Sequence, residues 1–350
     1  MDAAELDYEL PQEAIAQTPM EPRDAARLLV DRGAGRAPDH RIVRDLPGLL
    51  APGDVLVVND TRVIPARLHL QKPTGGAVEV LLLERRPEGH WEALVRPSRR
   101  VAPGTVLRPT AGGGATGGLE VEVGEVLGDD GRRAVRVSGG TDDDLAVLQQ
   151  VGEVPLPPYI HEPLGDPERY QTVYARRPGS VAAPTAGLHL TPEVLDACRA
   201  RGVVVADVEL VVGLGTFRPI TTDRVEDHPM HAERYRIPAA TQEALAQREG
   251  RVVAVGTTVV RALESWASTG IDEDATRLFI RDGHPWEVVD RLLTNFHVPR
   301  SSLLALVRAF VGPRWRDLYA EALAAQYRFL SFGDAMLLDR TPPDAPPQVP

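Results

Sequence analysis

The stretch Arg251-Val-Val-Ala-Val-Gly-Thr-Thr-Val-Val-Arg-Ala-Leu-Glu-Ser-Trp266 decides the fold class. Its opening residues are an apolar, β-branched run that reads as a buried strand. Gly256-Thr257-Thr258 then turns the chain directly into a helix that runs through Trp266. A strand feeding a helix in this way belongs to an α/β protein, which usually holds its ligand at the carboxyl end of the strand. Upstream, a helix over Thr241–Arg248 ends at Gly250. Before that, Thr191-Pro192 sets an N-cap ahead of a proline at the first position of a helix Glu193–Arg201, which Gly202 stops before the strand Val203–Val208. Asp54-Val-Leu-Val-Val-Asn59, following Pro52-Gly53, is a further buried strand. Downstream, Leu318, Ala322, Ala325 and Phe329 lie on one stripe and predict a helix from Trp315 to Phe329.

From about Ala66 to Gly140 the texture changes. Val78–Leu83, Trp91–Val95, Leu119–Val123 and Ala134–Val137 are short strands, separated by turns such as Pro87-Glu-Gly89, Pro103-Gly104 and Asp129-Asp-Gly131, with no helix signal. The expected architecture is a large α/β domain made of residues 1–65 and 141–340, interrupted by a small all-β barrel over 66–140. The glycine-rich run Ala111–Gly118 reads as a flexible hairpin tip, lacking the lysine and spacing of a phosphate loop. The proline-rich 341–350 reads as a disordered tail.

Composition narrows the function classes. With 350 residues, 43% hydrophobic and 25% charged, the chain is an ordinary globular protein of one or two domains. It has no apolar run of membrane-spanning length and no signal peptide, so a cytoplasmic protein is expected. The lone Cys198 excludes an internal disulfide. Lys72 is the only lysine and sits in a turn-like Lys72-Pro-Thr-Gly-Gly76, a poor place to desolvate a Schiff-base amine. The net charge of −11 argues against indiscriminate nucleic-acid binding. Locally, however, Arg85, Arg86, Arg96, Arg99, Arg100 and Arg108 face only Glu88 and Glu92, the footprint an RNA backbone needs.

Several segments are too dense in functional side chains for packing alone. Ala183-Pro-Thr-Ala-Gly-Leu-His189 brings a histidine to the start of a helix. Glu226-Asp-His-Pro-Met-His231 crowds two carboxylates and two imidazoles together. Gly213-Leu-Gly-Thr-Phe217 and Thr294-Asn-Phe-His297 follow apolar stretches, where strand ends would present them. The histidine cluster could supply a base whose pKa its anionic neighbours raise. A metal would need a further ligand that nothing in the sequence specifies, so none is expected.

The segments Asn59-Asp-Thr-Arg-Val-Ile-Pro-Ala-Arg67, Pro155-Leu-Pro-Pro-Tyr-Ile160, Arg169-Tyr-Gln-Thr-Val-Tyr174, Ala183–His189, Glu226-Asp-His-Pro-Met-His-Ala-Glu233, Val255-Gly-Thr-Thr258, Thr294–His297 and Tyr327-Arg-Phe-Leu-Ser-Phe-Gly-Asp-Ala-Met336 carry a resemblance. In this order, from about Tyr8 to Leu338, they resemble the S-adenosylmethionine:tRNA ribosyltransferase-isomerase family of queuosine biosynthesis. The resemblance implies a distorted barrel-like α/β domain with a small β-barrel insert. It implies transfer and isomerisation of the ribosyl moiety of S-adenosylmethionine onto 7-aminomethyl-7-deazaguanine at the tRNA wobble position. Epoxyqueuosine forms, and adenine and methionine leave. S-adenosylmethionine is then a consumed substrate, with no cofactor, and the tRNA is the partner of a protein expected to be a monomer.

That chemistry needs a base near the sulfonium, an acid near adenine and fixed contacts for the methionine end. The expected acid–base group is His228 and His231 with Asp227 orienting them, and His189 nearby. Gly256, Thr257 and Thr258, at the head of a helix, suit the methionine carboxylate. Further substrate contacts are expected at Asn59, Thr61, Arg62, Thr185, Gly187, Arg261, Asn295 and His297, and tRNA contacts at Arg96, Arg99 and Arg100. The chain departs from the family where Val211 in Leu210-Val211-Val-Gly213 replaces a usual histidine, which removes any acid–base role there. Leu190 also replaces an aromatic, and Arg281-Asp282 a usual Tyr-Pro. A second reading keeps the chemistry but gives it a small-molecule amine acceptor. Steep salt dependence would favour tRNA.

Overall fold

The computed structural model describes residues 1–33, 35–86, 88–109, 118–128, 131–139, 144–213 and 219–341. The expected glycine-rich hairpin tip, the Leu214–Phe217 part of the glycine-rich segment and nearly all of the tail lie outside these residues. The chain divides into two compact units. One comprises Met1–Thr61, Pro157–Arg177 and Ala183–Pro350; the other comprises Arg62–Leu156 and Pro178–Ala182.

A mixed sheet of nine strands carries the first unit, in the order Glu273–Thr276, Glu233–Arg236, Val204–Leu210, Val55–Asn59, Val252–Val255, Arg291–Asn295, Ala335–Asp339, Arg27–Val30 and Asp39–Ile42. Its centre is parallel: Val204–Leu210, Val55–Asn59, Val252–Val255 and Arg291–Asn295 all run the same way. Val55–Asn59, Val252–Val255 and Arg291–Asn295 are buried at every position, as apolar strands covered on both faces must be. Leu56, Val58, Val253, Val255, Leu293 and Leu337 form the core under one face with Leu190, Val194, Leu195 and Cys198. Because the central strands are parallel, Asn59, Leu210, Val255 and Asn295 end at the same edge. Ala335–Asp339 runs antiparallel with Ala335 opposite Asn295, so the loop before it reaches that edge too.

The helices follow their caps. Thr191 Oγ1 accepts from Val194 N at 3.3 Å to start Pro192–Ala200. The helix Thr257–Thr269 opens at Gly256, whose φ of +91° is open to glycine and strained for other residues, and closes at left-handed Gly270. The helix expected to reach Phe329 spans only Trp315–Ala324. Gln326 takes φ +57° and redirects the chain, so Phe329 packs from a loop, stacked on Phe296 at 4.6 Å. The apolar run after Ser301 is also a helix, Ser302–Val311, with Ser301 as its cap. Among the described residues no helix is long and apolar enough to cross a membrane.

The second unit is a closed antiparallel barrel of strands Arg132–Ser138, Trp91–Arg96, Ala77–Arg85, Arg67–Gln71, Thr105–Pro109 and Glu120–Val126. Arg67–Gln71 and Thr105–Pro109 add to the four strands legible in the sequence. Leu68 and Leu70 point inward while His69 is exposed, a short alternation that the polar ends conceal. The unit extends beyond the expected 66–140, since the chain after the barrel remains tied to it. Arg67 and Glu153 exchange backbone hydrogen bonds of 3.0 and 2.8 Å, and Ile64 N donates to Ser180 O at 2.9 Å.

Candidate active site

A cleft, partly open to solvent, lies at the carboxyl edge of the large sheet. Ala183–Ala186, Val212, Gly256–Thr258, Thr294–Val298, Leu303, Leu330, Ser331 and Tyr159 line it. Three elements therefore converge: the strand ending at Asn295, the strand-to-helix turn at Gly256, and the segment Ala183–Ala186. Gly256 N donates to Leu293 O at 2.8 Å, which anchors the turn to the neighbouring strand. The first N–H groups of the helix beyond it have no carbonyl one turn back to receive them. Thr258 Oγ1 is buried there and has no hydrogen-bond partner among the described residues.

Asn295 organises the cleft wall. Thr185 Oγ1 donates to Asn295 Oδ1 at 2.9 Å, and Asn295 Nδ2 lies 3.1 Å from His189 Nε2. His297 Nε2 lies 2.9 Å from Thr294 Oγ1, while its backbone N–H donates to Tyr319 Oη at 3.0 Å and its carbonyl accepts from Tyr8 Oη at 2.6 Å. Tyr159 Oη meets Ser331 Oγ at 2.7 Å. Burial pushes the imidazoles down, His189 to about 4 and His297 to about 3; Arg328 and Arg23 add to the shift at His189. Both histidines are neutral near pH 7.

A second cleft adjoins the first, with Leu303 lining both. His228, Met230, His231, Glu233, Arg261, Leu278, Phe279, Ile280 and Leu306 are among its walls. Arg261 forms a buried ion pair with Glu233 and donates through Nε to Leu278 O at 3.1 Å. Glu233 Oε1 also accepts from Gly213 N at 3.0 Å. His228 is half-buried, and burial, followed by the charge of His231, lowers its pKa. His231 is exposed.

The remaining expected residues separate into distinct roles. Asp227 is exposed, and among the described residues no hydrogen bond joins its carboxylate to either imidazole, so it does not orient them. Glu226 pairs instead with the α-ammonium of Met1 and with Arg224, the latter at 3.4 Å. His189 stands with Asn295, apart from the His228/His231 group. Asn59 is fully engaged in backbone bonding: its Nδ2 donates to Leu210 O at 2.9 Å, and its Oδ1 accepts from Thr61 N and Leu210 N at 3.2 Å. Thr61 Oγ1 reaches the same carbonyl at 3.4 Å. These two residues splice adjacent strand ends instead of facing the cleft. Gly187 is a packing glycine, since a Cβ there would fall 1.9 Å from Tyr174 Oη.

Arg62 belongs to the second unit, as do Arg96, Arg99 and Arg100. Arg85, Arg86 and Arg108 are paired with Asp144, Glu92 and Glu120. Arg96, Arg99 and Arg100 are exposed and, among the described residues, have no acidic partner, and Lys72 Nζ reaches Arg100 O at 3.1 Å. The sequence reading missed Tyr159, Glu233 and Ser331 as site residues. All three stand inside the quoted motifs, so membership of a motif was the available signal.

A parallel-centred sheet whose strand ends open on a helix N-terminus and a wall of polar groups is the arrangement in which α/β enzymes hold their ligands. The sequence model of the family described as queuosine biosynthesis protein matches residues 3–338, and the chain belongs to that family. It is 54% identical over 97% of its length to the S-adenosylmethionine:tRNA ribosyltransferase-isomerase of Rubrobacter xylanophilus, of which 98% is covered. It is 55% identical over 95% of its length to the enzyme of the same name from Thermus thermophilus, again covering 98%. A crystal structure of S-adenosylmethionine tRNA ribosyltransferase from Thermotoga maritima, 38% identical, superimposes with a TM-score of 0.54 over 95% of this chain and 99% of that one.

Proposed function

We infer that this chain is an S-adenosylmethionine:tRNA ribosyltransferase-isomerase that transfers and isomerises the ribosyl moiety of S-adenosylmethionine onto 7-aminomethyl-7-deazaguanine at the tRNA wobble position. The carrying observation is the convergence of Ala183–Ala186, Gly256–Thr258 and Thr294–His297 on one cleft, in a chain that matches this family over residues 3–338. The relatives' names favour tRNA over a small-molecule acceptor.

The first cleft takes the methionine end. Its carboxylate meets the N–H groups that open the helix Thr257–Thr269 and the hydroxyl of Thr258, where the helix dipole also favours an anion. Thr185, with its proton directed to Asn295, offers lone pairs to the α-ammonium. The sulfonium acidifies the C5′–H, and a base removes that proton to leave an ylide. The ylide opens the ribose ring and expels adenine; the tRNA amine attacks the resulting acceptor; methionine leaves as the epoxide closes. His228 and His231 are the acid–base pair of this scheme. His297, held neutral by burial, serves as a hydrogen-bonding wall group, and neutral His189 supports Asn295 from behind. Arg96, Arg99 and Arg100, exposed and without an acidic partner among the described residues, hold the tRNA backbone. S-adenosylmethionine is consumed, and the scheme requires no cofactor.

The test is incubation with S-adenosylmethionine and tRNA carrying the aminomethyl-deazaguanine, with mass spectrometry of the products. Adenine and the epoxide nucleoside in equal amounts are expected. Methylated tRNA, or no adenine release, would refute the assignment.

A further inference from the structure

The two clefts are neighbours along one helix. Leu303 lines both, and the helix Thr257–Thr269 contributes Thr257 and Thr258 to the first and Arg261, one turn on, to the second. An elongated substrate whose anionic end lies at Thr258 can follow this helix towards the second cleft; the cleft on the other side, which shares Ser331 with the first, is lined by Arg23, Arg169 and His189. That cleft is walled by Met230, Leu278, Phe279 and Leu306, surfaces suited to the faces of a flat heterocycle.

It also holds an unmet polar group. His228 Nδ1 is buried and has no hydrogen-bond partner among the described residues. The His228 ring meets Phe279 edge-on, with centroids 6.0 Å apart, which fixes the plane in which the nitrogen points. Burial disfavours the charged imidazole, so one ring nitrogen remains an acceptor. A buried acceptor beside apolar walls is complementary to a ligand that is flat, apolar-faced and carries an N–H donor at its edge.

We propose that the second cleft receives the adenine of S-adenosylmethionine, with His228 Nδ1 accepting a hydrogen bond from the exocyclic amino group. The proposal rests on the reading of the first cleft as the methionine site. It gives His228 a direct contact with the leaving group, and puts the sulfonium and C5′ at the junction beside Leu303. Adenine is favoured over the acceptor base because it is covalently tied to the end held at Thr258.

Calorimetric titration of the full-length protein with S-adenosylmethionine, and with its analogue bearing hydrogen in place of the 6-amino group, tests this. Wild type should bind the natural compound about ten-fold more tightly, the worth of one buried hydrogen bond. His228→Ala should bind both equally, at the weaker level. Phe279→Leu should weaken both while keeping the preference, so a loss of discrimination confined to His228→Ala cannot be ascribed to misfolding. Retention of the ten-fold preference in His228→Ala overturns the proposal. So does an unchanged S-adenosylmethionine affinity coupled to a raised KM for tRNA, which would assign the cleft to the acceptor base. Failure of wild type to bind S-adenosylmethionine at all would instead refute the functional reading beneath it.

Discussion

Asn295 Nδ2 lies 3.1 Å from His189 Nε2, and the opposite face of the same amide accepts from Thr185. The hydroxyl can bond only to the amide oxygen in this orientation, so Nδ2 must donate and the imidazole nitrogen must accept. A protonated His189 would set two donors against each other. The wall of the first cleft therefore depends on a neutral histidine, which burial provides by pushing its pKa to about 4.

This arrangement predicts acid sensitivity of a definite sign. The folded pKa of His189 lies below the ordinary value of 6.5, so the unfolded chain binds the proton more readily. The contribution is intact above 6.5 and lost as pH falls towards 4, on the order of 3 kcal/mol in total. Urea midpoints measured across that window should fall for wild type. In His189→Gln, which cannot titrate, the fall should be smaller by about that amount; an unchanged slope would contradict the role assigned to the imidazole.

Thr258 separates stability from binding. Its buried, unpartnered hydroxyl is a desolvation cost that the empty protein does not recover. Thr258→Val keeps the shape and should raise stability by roughly 1 kcal/mol, while weakening S-adenosylmethionine binding about ten-fold. Thermal unfolding and calorimetry on the same preparation check both halves. A variant that is less stable and binds normally would remove the hydroxyl from the site.

The unpaired arginines make a salt-dependent prediction. Replacing Arg96, Arg99 and Arg100 together by glutamine should raise KM for tRNA and leave KM for S-adenosylmethionine near its wild-type value. If each contacts a phosphate, the slope of log affinity against log salt should flatten by about 2–3. Replacing Arg85, Arg86 and Arg108, which already face Asp144, Glu92 and Glu120, should change that slope far less.

Glu264 offers a purely structural contrast. Its buried carboxylate accepts from the backbone N–H groups of Glu287, Val288 and Val289 at 2.9–3.1 Å and faces His284. Burial alone would raise its pKa, but His284 and the three N–H groups outweigh it and lower the value. Glu264→Gln turns an amide N–H towards these donors and should cost roughly 2–3 kcal/mol. Once folded, the variant should show ordinary S-adenosylmethionine affinity by calorimetry.

Sequence by itself determined the alternation of strand and helix around Gly256, the all-β texture after Ala66 and the motifs that mark the family. Each is written in local spacing: β-branched runs, Thr191-Pro192 and Gly202 as caps, and short alternating strands between turns. The limits of local pattern are equally specific. The stripe through Phe329 continues the helical period, yet the helix ends at Ala324, Gln326 takes φ +57°, and Phe329 stacks on Phe296 from outside it. Tertiary structure alone decided which motif residues meet. Asn59 and Asn295 both stand at strand ends, but the first bonds to the backbone of the neighbouring strand while the second faces a cleft, a difference set by strand order. Asp227 is four residues from His231 and still makes no bond to it, whereas Arg261 and Glu233, 28 residues apart, form a buried pair. Sequence proximity fixes neither the direction of a side chain nor its partner; those follow from the register of the sheet and from which charges burial forces to pair.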